Sequence, residues 1–141
     1  MPDRIVVDAN VVISSLINKG TVFSGLLLNS VLKRFELVGP EFLLEEIGNH
    51  ESKLLKYSRL SKQEFKVVYR FLLNEILLIP AVEFLDYWPE AVRIAPHIKD
   101  APYVALSLGL KAPLLTGDKG LHKSGLDVIS PGEFLALLLK D

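Results

Sequence analysis

Four carboxylates stand out by where they fall. Asp8 follows the apolar run Ile5-Val6-Val7, Asp118 follows Leu114-Leu115-Thr116-Gly117, Asp100 stands at the start of a helical segment, and Glu46 lies on a third helix with Glu45 beside it. An apolar, β-branched run without polar alternation suits a central parallel strand covered on both faces. The carboxyl end of such a strand is where open α/β sheets bind ligands, so Asp8 and Asp118 are site candidates by position alone. If their strands are neighbours, the two acids lie side by side, a costly arrangement without a cation between them. An oxygen-only cluster selects hard cations, so Mg²⁺ or Mn²⁺ and phosphoryl-transfer chemistry are expected. The plainer readings are that Asp8 caps a helix starting near Asn10 and that Asp100 caps the helix carrying Pro102.

The elements that must position these acids alternate along the chain. After strand one, a short helix over residues 10–18 is expected to stop at Asn18-Lys19-Gly20 on a left-handed glycine, and Thr21 to cap a second helix running to about Arg34. Phe35 to Val38 reads as a strand closed by Gly39, with Pro40 in the first turn of a third helix that carries Glu46 and continues past Gly48 toward Lys56. Ser61-Lys62-Gln63-Glu64 is a capping box opening a helix to about Asn74, and Ser130-Pro131-Gly132-Glu133 is a second one opening a helix through Leu139. Ile76 to Ile79 reads as a buried strand. Pro89 and Pro96 break the helical pattern from Val82 to Ile98. Gly109 is expected to end the helix after Asp100, and residues 112–116 and 127–129 to form the last two strands. Strands alternating with helices imply right-handed crossovers and a three-layer α/β/α sandwich with a mostly parallel central sheet.

Length bounds the chain at one domain over residues 1–141. No stretch approaches the roughly 18 apolar residues of a membrane span, and the first strand follows Met1 so closely that no signal peptide fits, so a cytoplasmic protein without membrane attachment is expected. The absence of cysteine removes thiolate ligands, disulfides and a cysteine nucleophile. With 16 Lys and Arg against 17 Asp and Glu, net charge cannot supply nucleic-acid affinity, and a local basic patch is required.

Taken together, these motifs resemble the PIN-domain ribonucleases. Val7-Asp8-Ala9-Asn10-Val11-Val12 is similar to the family's opening motif, Leu43-Leu44-Glu45-Glu46-Ile47 to its helical glutamate segment, Lys99-Asp100-Ala101-Pro102-Tyr103-Val104-Ala105-Leu106 to its third motif, and Leu115-Thr116-Gly117-Asp118-Lys119-Gly120-Leu121 to its fourth. Four motifs in family order cover essentially the whole chain. The resemblance implies that Asp8, Glu46, Asp100 and Asp118 bind one or two divalent ions, and that Asn10 and Thr116 help orient the first acid. It favours Glu46 over Glu45, since adjacent helical residues point about 100° apart and the family's glutamate directly precedes the apolar Ile47.

The activity so implied is metal-assisted hydrolysis of phosphodiester bonds in single-stranded or structured RNA. Lys119 beside the fourth acid is the expected substrate contact. Lys53, Lys56, Arg59, Lys62, Lys66 and Arg70 form a further basic stretch that reads more plainly as a solvated face. His50, His97 and His122 show no ligand spacing. Small PIN proteins resemble the toxins of toxin–antitoxin pairs, so an antitoxin protein is a possible partner, although the resemblance also extends to a less studied prokaryotic branch. A homodimer is expected from apolar surface on Phe65, Val68, Phe71 and Leu72 and on Phe134, Leu135, Leu137, Leu138 and Leu139. A structure-specific DNA nuclease would share the acids. A non-catalytic nucleic-acid-binding module would be expected to lack one of them.

Overall fold

The chain's apolar runs form a parallel sheet at the centre of the computed structural model, which describes residues 3–18 and 20–140. Strands β1 (Asp3–Val7), β2 (Phe35–Pro40), β3 (Ile76–Ile79), β4 (Leu114–Leu115) and β5 (Val128–Ile129) are ordered β3-β2-β1-β4-β5, every pair parallel. Successive strand residues point to opposite faces, yet Ile5, Val6 and Val7 are all 1% exposed or less, so helices cover both sides of β1. The fold is the expected α/β sandwich.

Nine α-helices connect and cover the strands among the described residues: α1 (Ala9–Ile17), α2 (Thr21–Leu32), α3 (Phe42–Asn49), α4 (Glu51–Ser58), α5 (Lys62–Asn74), α6 (Trp88–Ile94), α7 (Ala101–Leu110), α8 (Lys119–His122) and α9 (Pro131–Leu139). Helix α7 packs on β1 and β2 and carries α6, while α1 meets α2, α3, α4 and α5, and α2 lies against α9. The two capping boxes form as expected, with Ser61 and Ser130 each exchanging hydrogen bonds with the glutamate three residues on. No single described helix is long and apolar enough to cross a membrane.

The strand order fixes where a ligand can sit. From β1 the chain steps outward to β2 and β3, then returns to the other side of β1 for β4 and β5. The reversal leaves a crevice between the carboxyl ends of β1 and β4, the position at which open α/β sheets bind ligands.

Several local expectations are corrected. Gly39 and Pro40 belong to β2, paired with Leu78 and Ile79, because Gly39 admits Leu43 and Ile76 so closely that a Cβ would lie 3.3 and 3.4 Å from them. Pro40 has no amide hydrogen to give, and the next amide, that of Glu41, donates to the Ile79 carbonyl at 3.0 Å. Helix three breaks at His50 into α3 and α4. Gly20 has φ −91° and precedes α2, so it is not a left-handed stop and Thr21 lies inside the helix; Lys19, in the same expected stop, is outside the described residues. Helix α7 runs through Gly109 and ends with Lys111 in the left-handed region. Gly109 serves packing, since a Cβ there would stand 3.2 Å from the Tyr87 ring.

Of the nine apolar residues invoked for a homodimer, Leu137 and Leu139 are exposed, at 39% and 68%, while four are internal. Phe65, Leu72, Phe134 and Leu138 are each 2% exposed or less, because α5 and α9 turn those faces into the monomer's own core. The α2–α9 contact is close enough to require a glycine: a Cβ on Gly25 would lie 3.0 Å from the Phe134 ring, which is also held by Phe35 at 5.8 Å between centroids. Gly25→Val is therefore expected to destabilise the fold by about 1–3 kcal/mol through overpacking. Thermal unfolding measures it, and an unchanged midpoint would show that the Phe134 ring yields.

Candidate active site

The crevice between β1 and β4 is built around one buried hydroxyl. Thr116 follows β4 and is 0% exposed; Asp8 follows β1 and is 5% exposed. The Thr116 hydroxyl donates to Asp8 Oδ2 at 2.7 Å and accepts from the Asp118 amide at 3.0 Å and from Asn10 Nδ2 at 3.4 Å. A threonine hydroxyl offers one donor and two acceptor positions, so this one is fully used. The Thr116 carbonyl is held in turn by His122 Nε2 at 2.9 Å, and since a carbonyl only accepts, that nitrogen carries the proton. The residues that follow β1 and β4, the first turn of α1 and the short α8 are thereby tied to one point.

Asp8 does not cap α1 with its side chain. Capping falls instead to Asp118, whose Oδ1 accepts from the Gly120 and Leu121 amides at 2.7 and 3.2 Å and so opens α8, a helix too short to show as periodicity. Asp100 precedes α7 but likewise makes no side-chain cap. Its Oδ2 is buried without a hydrogen-bond partner among the described residues. Glu46 is half-buried on α3 and accepts a hydrogen bond from the Tyr103 hydroxyl of α7. Its neighbour Glu45 is exposed and lines a separate groove.

The electrostatics show which acids feel one another. Burial pushes the Asp8 carboxyl up to about 6; the Thr116 hydroxyl opposes this, while the charges of Asp100 and Glu46 add to it. Burial likewise raises Glu46, opposed by the Tyr103 hydroxyl and by the charge of Lys99, and Asp100 adds to the rise. Asp100 is raised by burial and then by Asp118. Asp8 thus feels Asp100 and Glu46, and Asp118 bears on Asp100. Although β1 and β4 are neighbours, Asp118 turns a carboxylate oxygen to its own helix. Among the described residues, no three Asp, Glu or His side chains already stand together as a set that could hold a metal ion.

Lys119 is exposed on α8, and the basic residues named above on α4, on α5 and at Arg59 between them are all exposed. Sequence reasoning did not single out three groups here: Tyr103, His122 and Lys99. Tyr103 had a signal, being the one tyrosine in the otherwise apolar first turns of α7, where a buried hydroxyl must find a partner. His122 had none, because its role depends on the unforeseen α8.

A carboxyl whose folded value lies above its unfolded one keeps its proton between the two and is strained only once ionised. For Asp8 that window runs from about pH 4 to about pH 6. In excess chelator, wild type and Asp8→Asn should be equally stable near pH 4. Above pH 6 the variant should be the more stable by about 2–3 kcal/mol, at 1.36 kcal/mol per pH unit. Denaturant titrations across that range test this, and a constant difference would show that the Asp8 charge is not strained.

Comparison with known proteins agrees with the geometry. A PIN domain profile matches residues 6–136. The chain is 28% identical over 130 residues to Ribonuclease VapC1 of Mycobacterium tuberculosis, in strains CDC 1551 / Oshkosh and ATCC 25618 / H37Rv, an alignment spanning 84% of this chain and 89% of that protein. Among solved structures it is similar to PAE2754 from Pyrobaculum aerophilum, with a TM-score of 0.74 and 16% identity over 96% of this chain and 89% of that one. It is also similar to VapBC2 from Rickettsia felis, solved bound to a DNA fragment from their promoter, with a TM-score of 0.69 and 14% identity over 90% and 98%. With the profile spanning nearly the whole chain, the protein belongs to the PIN domain family.

Proposed function

We propose that this chain is a divalent-metal-dependent endoribonuclease that hydrolyses phosphodiester bonds in RNA, using Asp8, Glu46, Asp100 and Asp118. The observation that carries the reading is Asp8: an almost fully buried carboxylate at the sheet's switch point, raised to about 6 by burial, with the charges of two further acids, Asp100 and Glu46, adding to the rise. Burying a carboxylate costs a fold stability, and a carboxyl so perturbed at the end of a central strand is a functional-site candidate. The relatives named Ribonuclease VapC1 support RNA as the substrate class.

The donor set fits Mg²⁺ or Mn²⁺. Its members are all oxygens, Asp100 Oδ2 is buried with no protein partner, and three of the four acids carry strain of the sign that a nearby cation relieves. Asp8, Asp100 and Glu46 would hold the ion, with Asp118 joining through an oxygen not engaged by α8. The chemistry such an ion supplies is activation of water and neutralisation of charge on the phosphate. The chain's own residues prepare for it. Thr116, itself fixed by Asn10 and the Asp118 amide, sets the orientation of Asp8. Above about pH 6 Asp8 is ionised and able to act as a ligand. Lys119, exposed beside Asp118, offers a cation to an adjacent phosphate of the strand.

The reading extends to an antitoxin protein as partner. An apolar groove of about 810 Å³, lined in part by Phe42, Leu44, Leu85 and Trp88, runs along the Glu45 face of α3 and gives an apolar segment of such a partner a place to dock. The likeness to VapBC2 supports the same idea.

Cleavage of a labelled single-stranded RNA, with Mn²⁺ or Mg²⁺ against chelator, tests the activity. Asp8→Asn and Glu46→Gln should lose at least about a hundredfold in rate, since each 1.36 kcal/mol of lost transition-state stabilisation is tenfold. Glu45→Gln should stay active. Undiminished cleavage by Asp8→Asn, or by wild type in excess chelator, would overturn the reading.

A further inference from the structure

We propose that Tyr103 is a positioning residue for Glu46, its hydroxyl holding that carboxylate in the orientation in which it serves the cation site; the inference rests on the metal-dependent reading above. Tyr103 is 1% exposed and sits on α7, whose residues from Ala101 to Ser107 are all buried. Its ring lies 6.4 Å from that of Phe42, at the start of α3. A phenylalanine would make that ring contact equally well. Burying the extra hydroxyl is unfavourable unless it is hydrogen-bonded, and the hydroxyl's partner is Glu46, 57 residues earlier in the chain.

The two ends of this bond differ in how firmly they are held. Tyr103 is anchored, because α7 packs on β1 and β2, the strands at the middle of the sheet. Glu46 is a half-exposed, three-torsion side chain on an eight-residue helix that breaks at His50. Alone, such a side chain samples several rotamers, and each loses entropy on meeting a ligand. Its Oε1 is engaged by the phenol, so Oε2 is the oxygen left for a cation. The bond transfers the sheet's rigidity to the one acid of the four that does not lie at a strand end or a helix start. Partners of this kind around metal ligands affect metal affinity by about 10–100-fold.

The test is Mn²⁺ affinity of the full chain, measured by calorimetry or by the paramagnetic resonance of free Mn²⁺, for wild type, Tyr103→Phe, Glu46→Gln and the double variant. Tyr103→Phe should bind Mn²⁺ about tenfold more weakly while its thermal midpoint in chelator stays the same or rises. In the Glu46→Gln background the same substitution should change affinity less than about twofold, because the group it positions has gone. Wild-type affinity in Tyr103→Phe would overturn the inference. So would an equal loss in both backgrounds, or a Tyr103→Phe chain that does not fold, since each marks a hydroxyl that serves packing. Absence of Mn²⁺ binding by the wild-type chain would instead overturn the metal-site reading, and this inference with it.

Discussion

The site depends on a single side-chain contact, the hydrogen bond from Thr116 to Asp8, joining residues 108 apart in sequence. It closes the ends of two strands whose ladder is only two pairs long, Val6 with Leu114 and Val7 with Leu115. A buried carboxylate needs at least one donor, and Thr116 is placed to supply it only because β4 lies beside β1 and not at the edge of the sheet. The same hydroxyl receives Asn10 and the Asp118 amide, so the first turn of α1 and the start of α8 are set by it too. Change the strand order and none of these contacts can form.

Much of this was legible in the chain itself. The unalternated run Ile5-Val6-Val7 announced a strand covered on both faces, and the recurrence of an apolar run followed by aspartate at Leu114 to Asp118 announced its partner. The serine-glutamate spacings at Ser61 and Ser130 marked two helix starts with the correct boundaries, because a capping box is local chemistry. What stayed hidden was set by contacts distant in sequence. Gly39 and Pro40 read as punctuation, yet pairing with Leu78 and Ile79 keeps them in the sheet. Gly109 reads as a stop, but it makes room for the Tyr87 ring. Four candidate acids could be named from their positions. Their division of labour could not: Asp118 rather than Asp8 caps a helix, and that helix has only four residues. The apolar positions on α5 and α9 were recognisable as apolar, but composition does not say whether such a face turns inward or outward.

Asp8, Glu46 and Asp100 are all shifted upward, with burial the leading cause for each; the charge of Lys99 on Glu46 and that of His97 on Asp100 oppose the rise without cancelling it. The hydroxyls of Thr116 and Tyr103 moderate the strain on two of them without removing it. The molecule therefore carries an internal conflict at the carboxyl edge of its sheet, and the apolar layers on both faces of β1 supply the stability that tolerates it. Conflicts of this kind between local comfort and global fold are expected where a protein works.

The strand order also has a temporal meaning. The innermost strand, β1, is the first to leave the ribosome, but its neighbour β4 begins 107 residues after Val7. Synthesis at roughly 5–20 residues per second separates the two by several seconds. Through that interval Asp8 has no Thr116 and no Asp118 beside it, and of its two native neighbours β1 has only β2. The acidic crevice is thus among the last features to close, so a nascent chain carries only a fragment of the pocket, and whatever chemistry the finished protein performs begins after the sheet has been completed from its far side.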